Sequence, residues 1–468
     1  MKLNLYLKIG LVFITSLLSL SCEDFVEIDA PNDKLIRDEV FGSEETAKSA
    51  LNGIYNQLFL TAFSNGARNS ISVLSGLSGD NLENINTTNI FRMQFQENEL
   101  TPDNPDNLDI WNSAYNMIYL TNSFIEGLVN SEEIASELKK QMEGEARFIR
   151  AFTYFYLVNL YGEVPLVLTT DYRANELAAR TPVDEVYAQV IADLLIAKDL
   201  LSGEYQNGER FRVNSFAASA LLARVHLYLE DWNMAETLSS QVINEQSTYQ
   251  ILEDANEVFL ANSMEAIWQI SPVGGGGMVT HTNEGALFII DPFFSFFASL
   301  ELEEEFIGSF DETDNRLMSW VSFDPGKEAY FPTKYKISYS TTFPIEEYSM
   351  VVRLAEQYLI RAESRAQEGN ISGAIEDVDV IRQRAGLDLI SETNPGINQE
   401  QLLNLILEER RKELFTEWGH RWLDLKRTGK ATQVLGSENP LWEATDILYP
   451  IPAEERMKNP NLSQNVGY

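Results

Sequence analysis

The sequence predicts a mostly α protein: tetratricopeptide-like helical hairpins form a scaffold, joined to a more irregular, loop-rich subdomain containing short strands. Three observations carry this. Apolar residues recur at three- and four-residue spacing over most of the chain, as in Ala218, Leu222, Val225 and Leu229. Two helix pairs repeat one spacing, with Ala223 and Ala235 twelve residues apart and Ala362 and Ala374 likewise. Small residues so placed let two helices of a hairpin cross closely. Finally, two long stretches, about 62–107 and 246–346, lose the helical period and fill with Ser, Asn, Gly, Pro and aromatic residues.

Taken in order, residues 1–21 carry Lys2 and Lys8, an apolar run from Ile9 to Leu20, and small Ser21 before Cys22. This is the pattern of a signal peptide, with an apolar run too short to span a bilayer. Cys22 is the chain's single cysteine, which excludes disulfides and marks it as the expected lipidation site. Residues 22–40 then read as acylated cysteine and acidic tether, and 41–468 as a single body anchored by lipid alone. Helices are expected at 44–60, 108–129, 132–161, 182–201, 214–230, 232–245, 347–368, 371–385 and 398–427, so the scaffold occupies about 41–60, 108–245 and 347–430. Ser43 precedes Glu44 and Glu45 as a start signal, and Gly369-Asn370 follows a long helix as a stop. Ala146 to Val158 is apolar nearly all round and should be a central buried helix.

Composition restricts function. The 468 residues include 71 Asp+Glu against 35 Lys+Arg, a formal charge of −36. Such a field repels nucleic acid, anionic membrane surfaces and polyanionic ligands, so a neutral or cationic ligand is favoured. The familiar catalytic and metal-binding patterns do not fit. His226, His281 and His420 are far apart and lack zinc-ligand spacing. Gly274 to Gly277 precede Met278-Val279 rather than a P-loop Lys-Ser/Thr, and Gly76 to Gly79 fall one residue short of a nucleophile elbow. Glu303 to Glu305 are the kind of acidic run expected in solvent, and Asp311 to Arg316 lack the EF-hand's Gly and final Glu, leaving helix capping. No cofactor is called for. Sugar binding needs aromatic faces for the apolar side of a pyranose and amides or carboxylates for its hydroxyls. By location in the loop regions, Asp80, Asn81, Trp268, Trp320, Tyr330, Phe331, Tyr335 and Tyr339 are the candidates.

The segment Glu145–Leu166, EARFIRAFTYFYLVNLYGEVPL, resembles the central helix and exit turn of the SusD/RagB family of nutrient-binding outer-membrane lipoproteins. So do VFGSEETA from Val40, LNGIY from Leu51, TPVDEVY from Thr181, VRLAEQYL from Val352, RQRAGL from Arg382, ERRKEL from Glu409 and RWLDLKR from Arg421. The C-terminal YPIP from Tyr449 and NPNLSQNVGY from Asn459 complete the order. These blocks are scaffold. Arg410 lies on the apolar stripe of Leu403, Leu407 and Leu414, and a buried charge demands a partner. Arg410 and Arg421 are therefore expected to pair with carboxylates, with Glu145, Glu356 and Glu363 as candidates. The resemblance implies a helical lipoprotein anchored in the outer membrane and facing the cell exterior, which packs against a SusC-type TonB-dependent barrel transporter while its loop-built face meets an oligosaccharide. It implies no catalysis. RagB-type relatives keep peptide binding open, a surface-protein scaffold is a further alternative, and a glycosidase would betray itself by turnover.

Overall fold

The computed structural model describes residues 37–290 and 299–468; the expected leader, Cys22 and most of the tether lie outside the described residues. The end of the tether region, Arg37–Val40, forms one helical turn beside the first long helix. Numbering the longer helices in order, α1 is Glu44–Leu60, opened by Ser43, whose hydroxyl accepts the Thr46 N–H at 3.2 Å. Helix α2 is Pro105–Asn130, with Asn104 as cap and Pro105 at the first position, where its missing N–H costs nothing. Then come α3 (Ser136–Tyr161), α4 (Val183–Leu200), α5 (Ser215–Tyr228) and α6 (Trp232–Ile243). The chain leaves the scaffold after α6 and returns as α7 (Leu354–Gln367), α8 (Ile371–Arg384), α9 (Gln399–Leu414) and α10 (His420–Arg427).

From α2 to α6 each helix packs on the next, and α6 then packs on α7 although a long excursion separates them in sequence. The two alanine-matched pairs, α5–α6 and α7–α8, are built alike. Each turn holds one left-handed residue, Glu230 (φ 58°) or Gly369 (φ 82°), followed by Asp231 or Asn370 capping the second helix. Ala223, Ala235, Ala362 and Ala374 are all fully buried where the helices cross. Helix α3 is the spine: from Ala146 to Val158 every residue but Arg147 is buried.

The structure departs from the sequence reading in three places. The helix expected over 398–427 is broken between Leu414 and His420, where Thr416, Trp418 and Gly419 have positive φ. Glycine is required in this turn: φ is +67° at Gly419, and a Cβ there would lie 2.5 Å from that of Ser75. The helix expected from 347 starts at Leu354, because Ser349–Arg353 is a strand (β6) paired antiparallel with Ala266–Ile270 (β2). Both are buried throughout, so their apolar runs carried neither period. Within 62–107, Ile71–Ser78 is a helix buried on every side; even its serines, Ser72, Ser75 and Ser78, are covered, so it lacks the charged solvent face that would reveal it.

The β2–β6 pair closes the base of the excursion. A second sheet, ordered β1-β3-β5-β4, comprises Leu82–Asn84, Leu300–Leu302, Ala329–Pro332 and Val321–Asp324. Antiparallel pairing of Leu82 with Leu302 joins the two loop-rich regions into one unit. The main apolar core runs from Phe41 to Leu462 beneath most of the scaffold and the loops, and a separate smaller one, with Ala362, Ala374, Val378 and Ile406, fills the space between α7, α8 and α9.

Candidate functional site

The sequence-chosen loop residues separate by depth. Trp268 and Trp320 are wholly buried: the indole of Trp268 meets Phe148 and Phe152 edge-on and donates to the Phe211 carbonyl at 3.2 Å, and that of Trp320 donates to Ala255 at 2.9 Å. Phe331 is buried, and Tyr335 is buried with its hydroxyl accepting the Met350 N–H at 2.9 Å. Asp80 holds Arg421 in a two-point pair at 2.6 Å on each oxygen, and buried Asn81 accepts Arg411 at 2.8 Å. Burial, the largest influence on Asp80, opposes its ionisation, but Arg421 and Arg411 together hold the carboxyl below its usual range. These six are packing and pairing groups, not a ligand surface; large aromatics bury readily, and sequence position within a loop region does not reveal depth. Tyr330 is half-buried beside Phe323 at 4.8 Å on the outer strand pair.

Tyr339 alone of the eight is open, at 74% exposure. Its segment is zipped to the chain around residue 281. Thr280 donates its N–H to the Ser340 carbonyl at 3.0 Å, and the Ser340 N–H reaches Nδ1 of His281 at 3.0 Å. Glu347 accepts the N–H groups of Lys336 and Ile337 at 2.6 and 3.2 Å, pinning the base. The two segments approach so closely that a Cβ on Gly285 would meet the Ile337 carbonyl at 2.3 Å. The Tyr339 ring rests against His281, centroids 5.2 Å apart, which leaves its other face to solvent. Phe343 is also exposed, and the hydroxyls of Ser340 and Thr342 lie alongside, 3.2 Å apart. This is an aromatic shelf with hydroxyl neighbours on a hydrogen-bonded base. It can stack a ring and bond its edge.

Arg410 and Arg421 are buried and paired, but not to the carboxylates expected. Arg410 donates to Asp424 at 2.8 Å and Arg421 to Asp80. Glu145 instead takes Arg212 at 2.6 and 3.0 Å, Glu356 takes Arg224 at 2.6 Å on both oxygens, and Glu363 takes Arg427 at 2.6 and 2.7 Å. The sequence reading missed a larger cluster altogether. Glu409, Glu413 and Glu417, four residues apart, with Glu265 and Asp314, face Arg316, Lys334, Arg353, Arg382 and Arg384. The cluster ties the residue before β2, β6, α8, α9 and the loop helix Asn315–Trp320 together. The repeated four-residue glutamate spacing was its one visible signal. Among the described residues no group of three or more His, Cys, Asp or Glu side chains is arranged to hold a metal ion, and no helix is long and apolar enough to cross a membrane. Asp314 caps the helix it precedes, accepting the Arg316 N–H at 2.9 Å.

Comparison with known proteins places this architecture. A family profile described as starch-binding and associating with the outer membrane matches residues 28–227, and the SusD family profile matches 327–468. The chain belongs to the SusD/RagB family. It is 26% identical to SusD-like protein P25 of Formosa agariphila, covering 96% of this chain and 97% of that one. It is 23% identical to the starch-binding protein SusD of Bacteroides thetaiotaomicron, over 73% and 74% of the two chains. A SusD superfamily structure from Bacteroides vulgatus superposes with a TM-score of 0.78 at 21% identity, covering 92% of this chain and all of that one. A laminarin-binding SusD-like protein superposes at 0.75 with 21% identity, over 91% of this chain and all of that one.

Proposed function

We propose that this protein is a non-catalytic, lipid-anchored receptor on the outer face of the outer membrane, which captures a neutral oligosaccharide on its loop-built face and delivers it to a SusC-type TonB-dependent barrel transporter. The observation that carries the reading is the Tyr339 shelf: a ring 74% exposed, backed by His281 and flanked by hydroxyls. A pyranose has one apolar face and a rim of hydroxyls, and such a shelf matches both. The charge of −36 disfavours polyanionic glycans and favours neutral ones. Relatives named for starch and laminarin binding support the ligand class. Family membership supports the transporter as partner and the absence of turnover, and Cys22 supports the anchor.

Affinity gel electrophoresis and calorimetry against laminarin, soluble starch and xylan test the reading. One of the neutral glycans should bind, Tyr339→Ala should weaken it about tenfold, and prolonged incubation should release no products. Binding of peptides with no glycan bound would transfer the role to peptide capture; released sugars would make the protein a hydrolase. Purification from native outer membranes should bring a barrel protein with it, and mass spectrometry should find acyl chains on Cys22.

A further inference from the structure

A second aromatic surface lies on the scaffold itself. Trp111, Tyr115 and Tyr119 are spaced four residues apart on α2, so their side chains climb one face of the helix over roughly 12 Å. Their lower rungs are fixed. The Trp111 and Tyr115 rings lie 4.9 Å apart at 39°, Tyr161 braces Trp111 at right angles, and the Tyr115 hydroxyl donates to the Pro165 carbonyl at 2.9 Å. The top rung, Tyr119, is 54% exposed. Tyr172, 66% exposed, contributes from the segment after Pro165, and with residues 455–462 these elements border a cleft of about 520 Å³.

That segment is held firmly. Glu126 accepts the Thr170 N–H and hydroxyl at 2.8 and 2.6 Å, and the Val167 carbonyl accepts from Tyr154 and Asn122 at 2.9 and 3.0 Å. Asn175 is anchored through its amide N–H to the Thr169 carbonyl at 2.7 Å. Glu176 and Glu455 stand on the border, as does Lys458, whose ammonium is spent on Glu454 and Glu455 at 2.8 Å each. The volume falls in the range of small-ligand sites, and the chemistry is mixed: ring faces beside amide and carboxylate groups. An apolar ligand would strip water from polar groups it cannot bond, and an anionic one would meet carboxylates only partly offset by Lys458. A neutral, hydroxyl-rimmed ring satisfies both.

We propose that this cleft is a second carbohydrate site, in which a neutral pyranose stacks on Tyr119 and Tyr172 while Asn175, Glu176 and Glu455 engage its hydroxyls. It shares no residue with the Tyr339 shelf and takes from the proposed function only the class of ligand. Two sites on one receptor raise the apparent affinity for a long glycan above that for a short one.

Calorimetry on the full mature protein tests this with laminarin and soluble starch, and with laminariheptaose and maltoheptaose as short probes. Three variants are compared: Tyr119→Ala/Tyr172→Ala, Tyr339→Ala, and all three changes together. Both cleft tyrosines are exposed, so melting temperature should hold. The cleft variant should weaken binding of the recognised polysaccharide about tenfold and lower the heptasaccharide stoichiometry from two to one. An unchanged affinity and stoichiometry in the cleft variant, with loss in Tyr339→Ala, overturns the second site and leaves the first. Loss in the cleft variant alone does the reverse. If no probe binds the unaltered protein, both fall.

Discussion

Replacing Glu413 by Gln removes one charge from the centre of the buried cluster while keeping the shape. Both Glu413 oxygens are occupied: Oε1 accepts Arg353 at 2.5 Å and a closer contact from Arg384, and Oε2 accepts Arg316 at 3.3 Å. All four side chains are essentially excluded from water. The cluster sets five carboxylates, Glu265, Asp314, Glu409, Glu413 and Glu417, against five cations, Arg316, Lys334, Arg353, Arg382 and Arg384, so the substitution leaves a buried positive excess. Breaking a buried pair by removing one partner costs about 3–5 kcal/mol. Urea unfolding followed by tryptophan fluorescence should show that loss with an unchanged denaturant slope, while exposed Glu400→Gln should change nothing. Burial, the largest single influence, pushes the Glu413 carboxyl up. The charges of Arg384, Arg353 and Arg316 outweigh it and hold the group well below the usual range. Glu417 is held down likewise, against burial, by Arg353 and Lys334. A depressed folded pKa contributes stability above the unfolded value that is lost as pH falls through the folded one. The gap between Glu413→Gln and the unaltered protein should therefore be full at neutral pH and close below about pH 4. A loss under about 1 kcal/mol, or a gap that widens in acid, would refute the role assigned to the cluster.

Other expectations follow from single sites. Glu284 is buried and its carboxyl is pushed up to about 7, burial outweighing the hydrogen bond from Ser349. A raised pKa means stability present below the unfolded value and lost as pH rises, so the protein should lose up to about 3 kcal/mol between pH 4 and 8, and Glu284→Gln should flatten that part of the curve. Gly419→Ala must hold φ at +67° and place its Cβ 2.5 Å from that of Ser75; chemical denaturation should show a loss of about 2–4 kcal/mol, partly relieved by Ser75→Gly. Asp80→Asn should lower stability by about 1–3 kcal/mol and leave glycan affinity unchanged, since Asp80 is spent on Arg421 and Arg411; a selective loss of binding would return it to the ligand surface.

Some of this was legible residue by residue. The Ala223–Ala235 and Ala362–Ala374 spacings marked two hairpins because close crossing needs small side chains wherever it occurs. Ala146–Val158 announced its burial by being apolar nearly all round, and Ser43 announced a helix start through a bond to a residue three positions on. Local chemistry, with partners inside one turn or one hairpin, is written in local sequence.

What the tertiary structure alone decided is which distant groups meet. Arg410 was recognisable as a buried cation, but with 71 acidic residues its partner depended on where α10 turned after the break at 415–419, and Asp424 rather than Glu145, Glu356 or Glu363 arrived beside it. Depth in the loop regions was hidden for the same reason. Trp268 and Tyr339 are both loop-region aromatics in sequence, yet one lies under α3 and the other over His281, because pairing of β2 with β6 and the zipped segments at 280 and 340 fix depth through contacts far apart along the chain. The Trp111, Tyr115, Tyr119 stripe sits between these cases: its helical spacing was readable, but its exposure was set by the segment after Pro165 and by the chain terminus.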